Sequence, residues 1–421
     1  MAARSFAPFR HRTFALFWCG SVVSNIGTIM EAVALGYYVQ VHTGRATWNG
    51  IVAALGFLPT AVMAPVGGAL ADRLDRRHLL LASTMGATTL AALMTFVVAS
   101  NRGAPATIAA IAFLAGSVNA LGWPAFQSLL PELVPPEDLV AAVGLSAAQW
   151  NLARVIGPVV AGLVISFGSV SWALGINTVS FFSVLAVLLV IRFPARPPTI
   201  NPAPIAAAIR AGWTYLRGEP SLWTAFRIQW LNCFLASGYI GLVPAVARKV
   251  FHGDKGLTAA MSSAMGVGAV LATLGFGSLA GRVGVRRVLL GATLGLPVAT
   301  VVYAAAPRPW LGMIGLAALA FCYLSSLSST TAIAQTTAPA ALRGRVLASN
   351  AMGLGLLYPV AVFSQGVLGD AIGLRWAMTT FAAILAAVLL AVALFKPAFV
   401  RPLRHLGPSA TSAAESERRY A

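Results

Sequence analysis

Two charged side chains lie deep inside apolar segments of this sequence, and they are the groups best placed to do chemistry. Glu31 lies about two-thirds of the way along the first apolar segment, and Arg154 lies near the middle of the fifth. A charged residue at the centre of a membrane costs at least about 2.5–3.5 kcal/mol on insertion scales, so it persists because something uses it. A carboxyl group can carry a proton, which makes Glu31 and Arg154 a candidate proton-coupling pair.

Arg154 leaves three roles open: an ion pair with Glu31, a direct anchor for an anionic substrate, and a structural hub bonded to backbone carbonyls. Glu31 also belongs to a polar stripe, whose members recur at intervals of four, three and three residues: Ser21, Asn25, Thr28 and Glu31. The stripe either lines a cavity or packs the first helix into its bundle. Further cavity candidates are polar or aromatic residues within apolar segments: Asn119, Trp123, Gln149, Trp150, Asn151, Gln229, Asn232, Tyr323 and Tyr358.

The elements that must position these residues are membrane helices. Of 421 residues, 58% are hydrophobic and 10% are charged, whereas a typical soluble domain is about 25% charged. Twelve apolar runs reach the roughly 20 residues needed to cross a hydrocarbon core. They cover residues 14–38, 48–71, 79–100, 105–128, 139–167, 170–191, 222–247, 258–280, 288–306, 310–333, 346–369 and 374–395. The sequence predicts an all-α integral membrane protein with twelve transmembrane helices, six on each side of a polar stretch.

The net charge of +18 is distributed unevenly between the two sides of the predicted membrane. If the N-terminus is cytoplasmic, 20 Lys and Arg residues lie on the cytoplasmic side and seven lie on the opposite side. This asymmetry follows the positive-inside rule and predicts that both termini are cytoplasmic. Because the basic residues are spread over many loops rather than gathered on one folded surface, we expect no binding to nucleic acid.

The polar stretch at residues 193–220 has two parts. Five prolines between residues 194 and 204 prevent a regular helix, whereas residues 205–217 have the apolar spacing of an amphipathic helix at the membrane surface. This helix serves either as a tether or in regulation. The predicted organisation is an N-terminus of residues 1–13, bundles of residues 14–192 and 221–396 joined by the 193–220 linker, and a basic tail of residues 397–421. We expect the tail to be disordered or associated with lipid.

Two short charged segments, 209 residues apart, have nearly the same sequence. Each has a glycine four residues before an acid or a second glycine, followed by an arginine, a turn residue and an arginine pair. This pattern resembles the signature loop between helices two and three of the major facilitator superfamily, which is repeated in weaker form between helices eight and nine. The resemblance implies two pseudo-symmetric six-helix bundles and a conformational gate built from Gly68, Asp72, Arg73, Arg76, Arg77, Gly277, Arg282, Arg286 and Arg287.

The two loops depart from the family pattern in different ways. The first has Asp75 at the turn position where the family has glycine, and the second has Gly281 where an acid is usual. In the family, the acid that matches Asp72 is thought to brace the cytoplasmic gate by engaging a helix end and neighbouring arginines. An acid facing a helix N-terminus contributes about 0.3–1 kcal/mol, and up to about 2 kcal/mol when partly buried. The resemblance therefore implies a complete latch in the first loop alone.

The fifth apolar segment carries small residues at fixed spacing: Gly144, Ala153, Gly157, Pro158, Ala161 and Gly162. This spacing resembles the antiporter motif of drug/proton exchangers, with alanine in place of glycine at two positions. Small residues also let helices approach closely in any tightly packed membrane bundle. Together with the segments 131–135 and 151–158, the pattern resembles the branch that contains the enterobactin exporter and the transmembrane secretion effectors. That resemblance extends from residue 9 to about residue 396.

Chemistry other than transport finds little support in the sequence. Cys19, Cys233 and Cys322 lie within predicted spans and are expected to be packing residues rather than disulfide partners or metal ligands. The five histidines fall in loops or at span ends, so they assemble no metal site within the membrane. No phosphate-binding loop, ATPase motif or catalytic-triad spacing is present. We therefore predict that the protein is not an enzyme and has neither a cofactor nor a metal.

The function predicted from the sequence is secondary active transport in a bacterial cytoplasmic membrane. The substrate is expected to be a siderophore-like, drug-like or metabolite molecule that a monomer, surrounded by lipid, exports in exchange for protons by alternating access. Two alternatives remain. One is a nutrient importer or facilitator of the same fold, and the other is a non-transporting membrane scaffold or sensor.

Overall fold

The computed structural model describes residues 6–101, 103–191 and 205–404, and within these ranges the chain is helical and has no β-strand. The first half contains α1 (Arg12–Thr43), α2 (Ala46–Phe57), α3 (Pro59–Arg73), α4 (Arg76–Ala99), α5 (Pro105–Leu129), α6 (Leu139–Phe167) and α7 (Val170–Val190). The second half begins after α8 (Ile205–Gly218) and contains α9 (Pro220–Ala236), α10 (Tyr239–Lys249), α11 (Lys255–Val283), α12 (Val285–Ala305), α13 (Pro309–Thr337), α14 (Ala340–Ile372) and α15 (Leu374–Phe395).

These helices form 12 segments long and apolar enough to cross a membrane, which confirms the predicted fold class. We number the segments as spans 1 to 12. Span 2 comprises α2 and α3, which meet at Pro59, and span 7 comprises α9 and α10, which meet at Ser237 and Gly238. Every other span is a single helix. The observed spans differ from the predicted ones by a few residues at their ends, because helices continue beyond the apolar core into the membrane interface.

Consecutive spans run in opposite directions, which gives the molecule two distinct sides. The linker side is where odd-numbered spans begin, and it carries the loop at residues 74–75, helix α8 and the loop at residue 284. The far side carries the loops at residues 44–45, 168–169, 250–254 and 373. These names do not depend on which side faces the cytoplasm.

Helix α8 lies against the second half of the protein. Leu216 is completely buried, and a Cβ added to Gly212 would lie 2.7 Å from the carbonyl oxygen of Arg345 in span 11. Trp213 and Trp230 of span 7 contact each other with ring centroids 5.6 Å apart. The linker helix is therefore fixed to spans 7 and 11. The proline-rich part of the linker, residues 192–204, lies outside the described residues.

The beginning of the basic tail differs from our expectation of a disordered or lipid-associated segment. Residues Pro397–Arg404 form a 3₁₀ segment that packs against span 7. Leu403 is 1% exposed, and the guanidinium carbon of Arg227 lies 4.6 Å from the centroid of the Phe399 ring. Phe399 and Leu403 of this segment supply the apolar burial that holds it in place. Residues 405–421 lie outside the described part of the chain.

Candidate functional site

Glu31 of span 1 is oriented toward span 6. Its carboxylate accepts a hydrogen bond from the side-chain amide of Asn177, a residue that is 1% exposed. The hydroxyl of Ser180 in turn donates to the Asn177 side-chain oxygen at 3.2 Å. Gly27, one turn before Glu31, lies directly against Asn177 and Ser180, so the absence of a side chain at Gly27 lets spans 1 and 6 approach closely. The carboxyl group thus has a polar partner within its own half of the protein.

The remaining residues of the polar stripe in span 1 do not share this partner. The hydroxyl of Thr28 donates to the carbonyl of Ser24 in the preceding turn at 3.0 Å. Among the described residues, the Ser21 hydroxyl and the Asn25 amide nitrogen have no hydrogen-bond partner, although both atoms are buried. Part of the stripe therefore packs span 1 into its bundle, and part of it leaves polar atoms without a protein partner.

Arg154 of span 5 lies beside the second half, because Gly266 of span 8 lies directly against its backbone carbonyl. Its charge interacts electrostatically with the phenol of Tyr239, the first residue of α10 in span 7. Tyr239 is 2% exposed, and its ring contacts Tyr323 of span 10 at a centroid separation of 6.4 Å. Among the described residues, Arg154 has neither a hydrogen bond nor an ion pair. Among the described residues no ion pair joins Glu31 to Arg154, and the Glu31 carboxylate is bonded instead to Asn177 of the first half.

The small residues of span 5 mark where this helix meets its neighbours. A Cβ added to Gly157 would lie 2.8 Å from the Cβ of Ile29 in span 1. A Cβ added to Gly162 would lie 2.6 Å from the Cβ of Ala259 in span 8. Gly266 of span 8 lies directly against the carbonyl of Arg154. Ala153 and Ala161 are fully buried, and Pro158 lies within the helix. The glycine pattern therefore brings span 5 close to spans 1 and 8.

Spans 5 and 8 separate toward the linker side. Gly144 lies on the same face of span 5 as Gly162, and Gly277 lies on the same face of span 8 as Gly266. Unlike Gly162 and Gly266, neither Gly144 nor Gly277 has a described atom within 4 Å of where a Cβ would lie. Spans 5 and 8 are therefore in close contact at mid-membrane and toward the far side. They are apart toward the linker side. A cavity of about 240 Å³ lies near this opening, between spans 4 and 5, and is lined by Trp123, Phe126, Gln127, Leu130, Val143, Ser146 and Trp150.

On the far side, Asp370 of span 11 joins the two halves. Its two carboxylate oxygens accept hydrogen bonds from the backbone N–H groups of Ala46 and Thr47, at 2.9 and 2.8 Å, and from the Thr47 hydroxyl at 2.6 Å. Ala46 and Thr47 are the first two residues of span 2. The ammonium group of Lys249, at the end of span 7, also donates to Asp370, at 2.6 Å. One carboxylate thus caps a helix of the opposite half.

Two further contacts close the far side. The ammonium group of Lys255, at the start of span 8, donates to the carbonyls of Ile165 and Ser166 at the end of span 5, at 2.7 and 3.5 Å. A cation at a helix C-terminus is favourable because it faces the negative end of the helix dipole. Between spans 2 and 11, a Cβ added to Gly50 would lie 2.7 Å from the carbonyl of Val362. Close packing and charged contacts together hold the halves against each other on this side.

The two arginine-rich loops have different local structures. Asp75 has φ −60° and caps the start of span 3 by accepting from the backbone N–H of His78 at 2.9 Å. In the second loop Gly284 has φ +88°, a conformation that favours glycine. The first loop therefore needs no turn glycine, which explains one departure from the family pattern. The surroundings of Gly68 and the side chains of Asp72 and Arg73 lie outside the described part of the structure.

The arginines of the first loop fix it within the first half. Arg76 donates to Glu132 at 2.9 Å, and the Nε group of Arg77 donates to the carbonyl of Leu188 at the end of span 6, also at 2.9 Å. In the second loop, Arg287 reaches the Val283 carbonyl at 3.5 Å, and the buried Nε of Arg286 has no partner among the described residues. The first loop is therefore more firmly bound than the second.

Four of the predicted cavity candidates fall into two groups. Gln229 and Asn232 are fully buried inside the second half, where the Asn232 amide donates to Thr293 and Ser326, both at 2.9 Å, and Ser326 donates to Gln229 at 2.7 Å. Trp123 and Trp150 instead line the linker-side cavity.

The other candidates are distributed between the interior and the surface. Tyr323 and Gln149 are buried, Tyr358 is partly buried with its ring 5.1 Å from that of Phe57, and Asn119 is exposed. The side chain of Asn151 lies outside the described part. No group of three or more His, Cys, Asp or Glu residues that could hold a metal occurs within the described ranges.

Sequence analysis did not single out Asn177, Asp370 or Lys255. Asn177 is one polar residue in an apolar helix and gives no periodic signal. Asp370 and Lys255 lie at span ends, where charges are common. A signal for Asp370 was nevertheless present, since an acid in the last turn of a helix is unfavourable unless another group stabilises it.

The sequence has relatives among known proteins. The family model described as transmembrane secretion effector matches residues 3–406. The chain is 28% identical over 373 residues to the enterobactin exporter EntS of Escherichia coli, covering 86% of this chain and 84% of that protein. It is 28% identical to the multidrug efflux pump Tap of Mycolicibacterium fortuitum, covering 90% and 94%. It is 26% identical to the macrolide efflux protein A of Streptococcus pyogenes, of which it spans 60%.

Solved structures share the fold at low sequence identity. A mutant of the nucleoside transporter NupG matches with a TM-score of 0.75 and 12% identity, covering 91% of this chain and 100% of that one. A bacterial homologue of the human lysosomal transporter Spinster, in an inward-facing and occupied conformation, matches with a TM-score of 0.73 and 12% identity, covering 94% and 98%. These similarities show that the chain shares the fold of these two structures.

Proposed function

The chain belongs to the transmembrane secretion effector family of major facilitator superfamily transporters, and from this premise we propose that it exports a small molecule in exchange for protons. The protein is a multi-pass transporter of the bacterial inner membrane rather than an enzyme. We further propose that it works as a monomer, with bundles of residues 14–192 and 221–396 rocking about a central site, and that it does not bind nucleic acid.

The observation that carries this proposal is the difference between the two sides. On the far side, Asp370 and Lys255 bridge the halves. Glycines there bring span 2 against span 11 and span 5 against span 8. On the linker side, spans 5 and 8 separate. A protein that is closed at one end and open at the other is in one of the two end states that alternating access requires.

The direction of transport is proposed from orientation and from the relatives. The charge asymmetry of the loops supports a cytoplasmic linker side, so the described conformation is open to the cytoplasm and ready to take up a solute for export. The relatives are named as an exporter and as efflux proteins. The cavity between spans 4 and 5 is largely apolar and offers Gln127 and Ser146 as polar contacts. Its volume of about 240 Å³ is smaller than a typical drug-sized site, so we propose that it holds one apolar part of a drug-like or siderophore-like molecule.

We propose that Glu31 carries the coupling proton. It is a carboxyl group within a membrane span, and its partner, Asn177, is neutral. An amide can donate to a carboxylate through its nitrogen or accept from a protonated carboxyl through its oxygen, so the Glu31 site can hold both protonation states. Arg154 and Tyr239, which belong to different halves, are proposed to sense the central solute, because their separation changes as the halves rock.

The proposal is tested with purified protein in proteoliposomes. A panel of siderophores, macrolides and cationic dyes is screened by thermal shift, and the hits are used for flux with an imposed pH gradient. We expect uphill movement driven by the gradient in the wild type, and loss of uphill movement with residual downhill flux in Glu31→Gln. Cys19→Ala, also in span 1 but exposed and outside the polar stripe, serves as a control. Concentrative transport by Glu31→Gln equal to that of the wild type would exclude Glu31 as the coupling group.

A further inference from the structure

We propose that Asp370 is a conformational latch that sets the balance between the two end states, and that it is the far-side counterpart of Asp72. Asp370 would act by holding the first turn of span 2, without contacting the transported solute. The inference rests on the alternating access of the proposed function. It is independent of which solute or ion is moved.

The local sequence explains why span 2 needs a partner from the other half. The residue before this helix is Arg45, whose side chain makes no capping hydrogen bond. Arginine has no acceptor atom, so it cannot satisfy the first N–H groups of the helix. Asp370 supplies the acceptors from span 11, 323 residues along the chain from Thr47. The cap of span 2 therefore exists only while the halves are together on the far side.

The position of Asp370 in its own helix leads to the same conclusion. It lies in the last turn of α14, which ends at Ile372. An acid in this turn faces the negative end of its own helix dipole, whereas it faces the positive end of span 2. Gly366, one turn earlier, permits the approach, since a Cβ there would lie 2.9 Å from the carbonyl of Ala46. The carboxylate is thus stabilised mainly by the opposite half.

Lys249 makes the latch reversible. It belongs to span 7 and therefore to the same half as Asp370, to which it donates at 2.6 Å. When the far side opens, Asp370 loses its three hydrogen bonds to span 2 but keeps its ion pair with Lys249. A carboxylate left with a cationic partner avoids most of the cost of an unpaired charge. The two states of the latch can therefore be close in free energy.

The comparison with Asp72 follows from the antiparallel arrangement of spans 2 and 11. Asp72 lies in the last turn of α3, on the linker side, where span 11 begins at Ala340. Asp370 lies in the last turn of span 11, on the far side, where span 2 begins. Each helix of this pair thus has an acid in its last turn, Asp72 in span 2 and Asp370 in span 11. Because rocking closes one side as it opens the other, the two acids would engage in alternation.

Distance measurements between spin labels test the proposal on the full-length protein in nanodiscs. The native Cys19, Cys233 and Cys322 are replaced by alanine, and cysteines are introduced at exposed positions in pairs. The far-side pair is Ser169→Cys with Arg308→Cys, and the linker-side pair is Glu137→Cys with Gln335→Cys. Each variant is first required to match the parent in its elution from a sizing column.

For Asp370→Asn, we expect the far-side distances to lengthen and the linker-side distances to shorten, with the ratio of the two states changing about tenfold, as expected for losing the charge of a partly buried helix cap. Asp370→Glu should retain part of the closed population. Lys249→Gln is the matched control and should not open the far side, because it leaves the bonds to span 2 in place.

Unchanged distance distributions in a folded Asp370→Asn protein would overturn the proposal, and so would equal opening by Lys249→Gln. Thr47→Val removes one of the three bonds to span 2, and should give a smaller opening even if Asp370→Asn fails to fold. Absence of solute flux in the wild type would count against the proposed function without altering these distances, so the two failures can be told apart.

Discussion

The side-chain amide of Asn177 in span 6 donates a hydrogen bond to the carboxylate of Glu31 in span 1. This contact joins two helices of the first half and gives a membrane carboxyl group a neutral partner. No ion pair joins Glu31 to Arg154 among the described residues, and the charge of Arg154 interacts with the phenol of Tyr239 in the second half. Proton coupling, if carried by Glu31, would then depend on how spans 1 and 6 move together rather than on one ion pair.

Removal of this partner should affect stability in a way that depends on Glu31. We expect Asn177→Leu to lower the free energy of unfolding by about 1–3 kcal/mol, because a buried acceptor loses its donor. In the Glu31→Leu background the same change should cost less, because only the hydrogen bond from Ser180 to Asn177 is then lost. Thermal unfolding of the four proteins of this double-mutant cycle measures the coupling. Equal effects of Asn177→Leu in both backgrounds would mean that the hydrogen bond contributes nothing.

The orientation of the protein predicts opposite accessibility on the two sides. A single cysteine in place of Arg308 should react with an impermeant maleimide added to intact cells, because this residue is exposed on the far side. A single cysteine in place of Glu137 should react only after the cells are opened, because this residue is exposed on the linker side. Both variants lack the three native cysteines. The reverse pattern of labelling would invert the topology and with it the direction of transport.

The sequence predicted the spans because hydropathy over about 20 residues dominates the folding of a membrane helix. It could not predict how the helices face one another. Asp370 and Thr47 are 323 residues apart, and their contact arises from the packing of spans 2 and 11, for which no local pattern exists. Glu31 was recognisable by its cost within a span, whereas the identity of its partner depended on the rotation of two helices about their axes.

The linker-side gate can be tested at Asp72. We expect Asp72→Asn to remain folded and to reduce transport about tenfold, because the amide keeps the shape but lacks the charge that a helix end and arginines would stabilise. Gly281→Asp restores an acid at the matching position of the second loop and should recover part of the activity in the double variant. Flux per molecule of reconstituted protein is the measurement. Wild-type flux from Asp72→Asn would show that this loop does not act as a latch.

Replacing Arg154 with an apolar residue should change stability and transport in opposite directions. The guanidinium lies within span 5 and, among the described residues, has neither a hydrogen bond nor an ion pair. Burying such a charge is unfavourable, and a well-packed apolar residue of similar length often stabilises a protein in its place. We therefore expect Arg154→Met to raise the melting temperature while reducing transport at least about tenfold, which is the trade-off expected when a functional site is kept at the expense of stability.

Arg154→Lys keeps the charge and should retain more transport than Arg154→Met, and Tyr239→Phe should leave stability nearly unchanged. If Arg154→Met instead lowers the melting temperature together with transport, the guanidinium acts as a structural hub bonded to backbone carbonyls in the membrane. If it raises the melting temperature and leaves transport intact, Arg154 has no part in the solute site. The predicted combination, a more stable and inactive protein, identifies a charge that span 5 retains for transport.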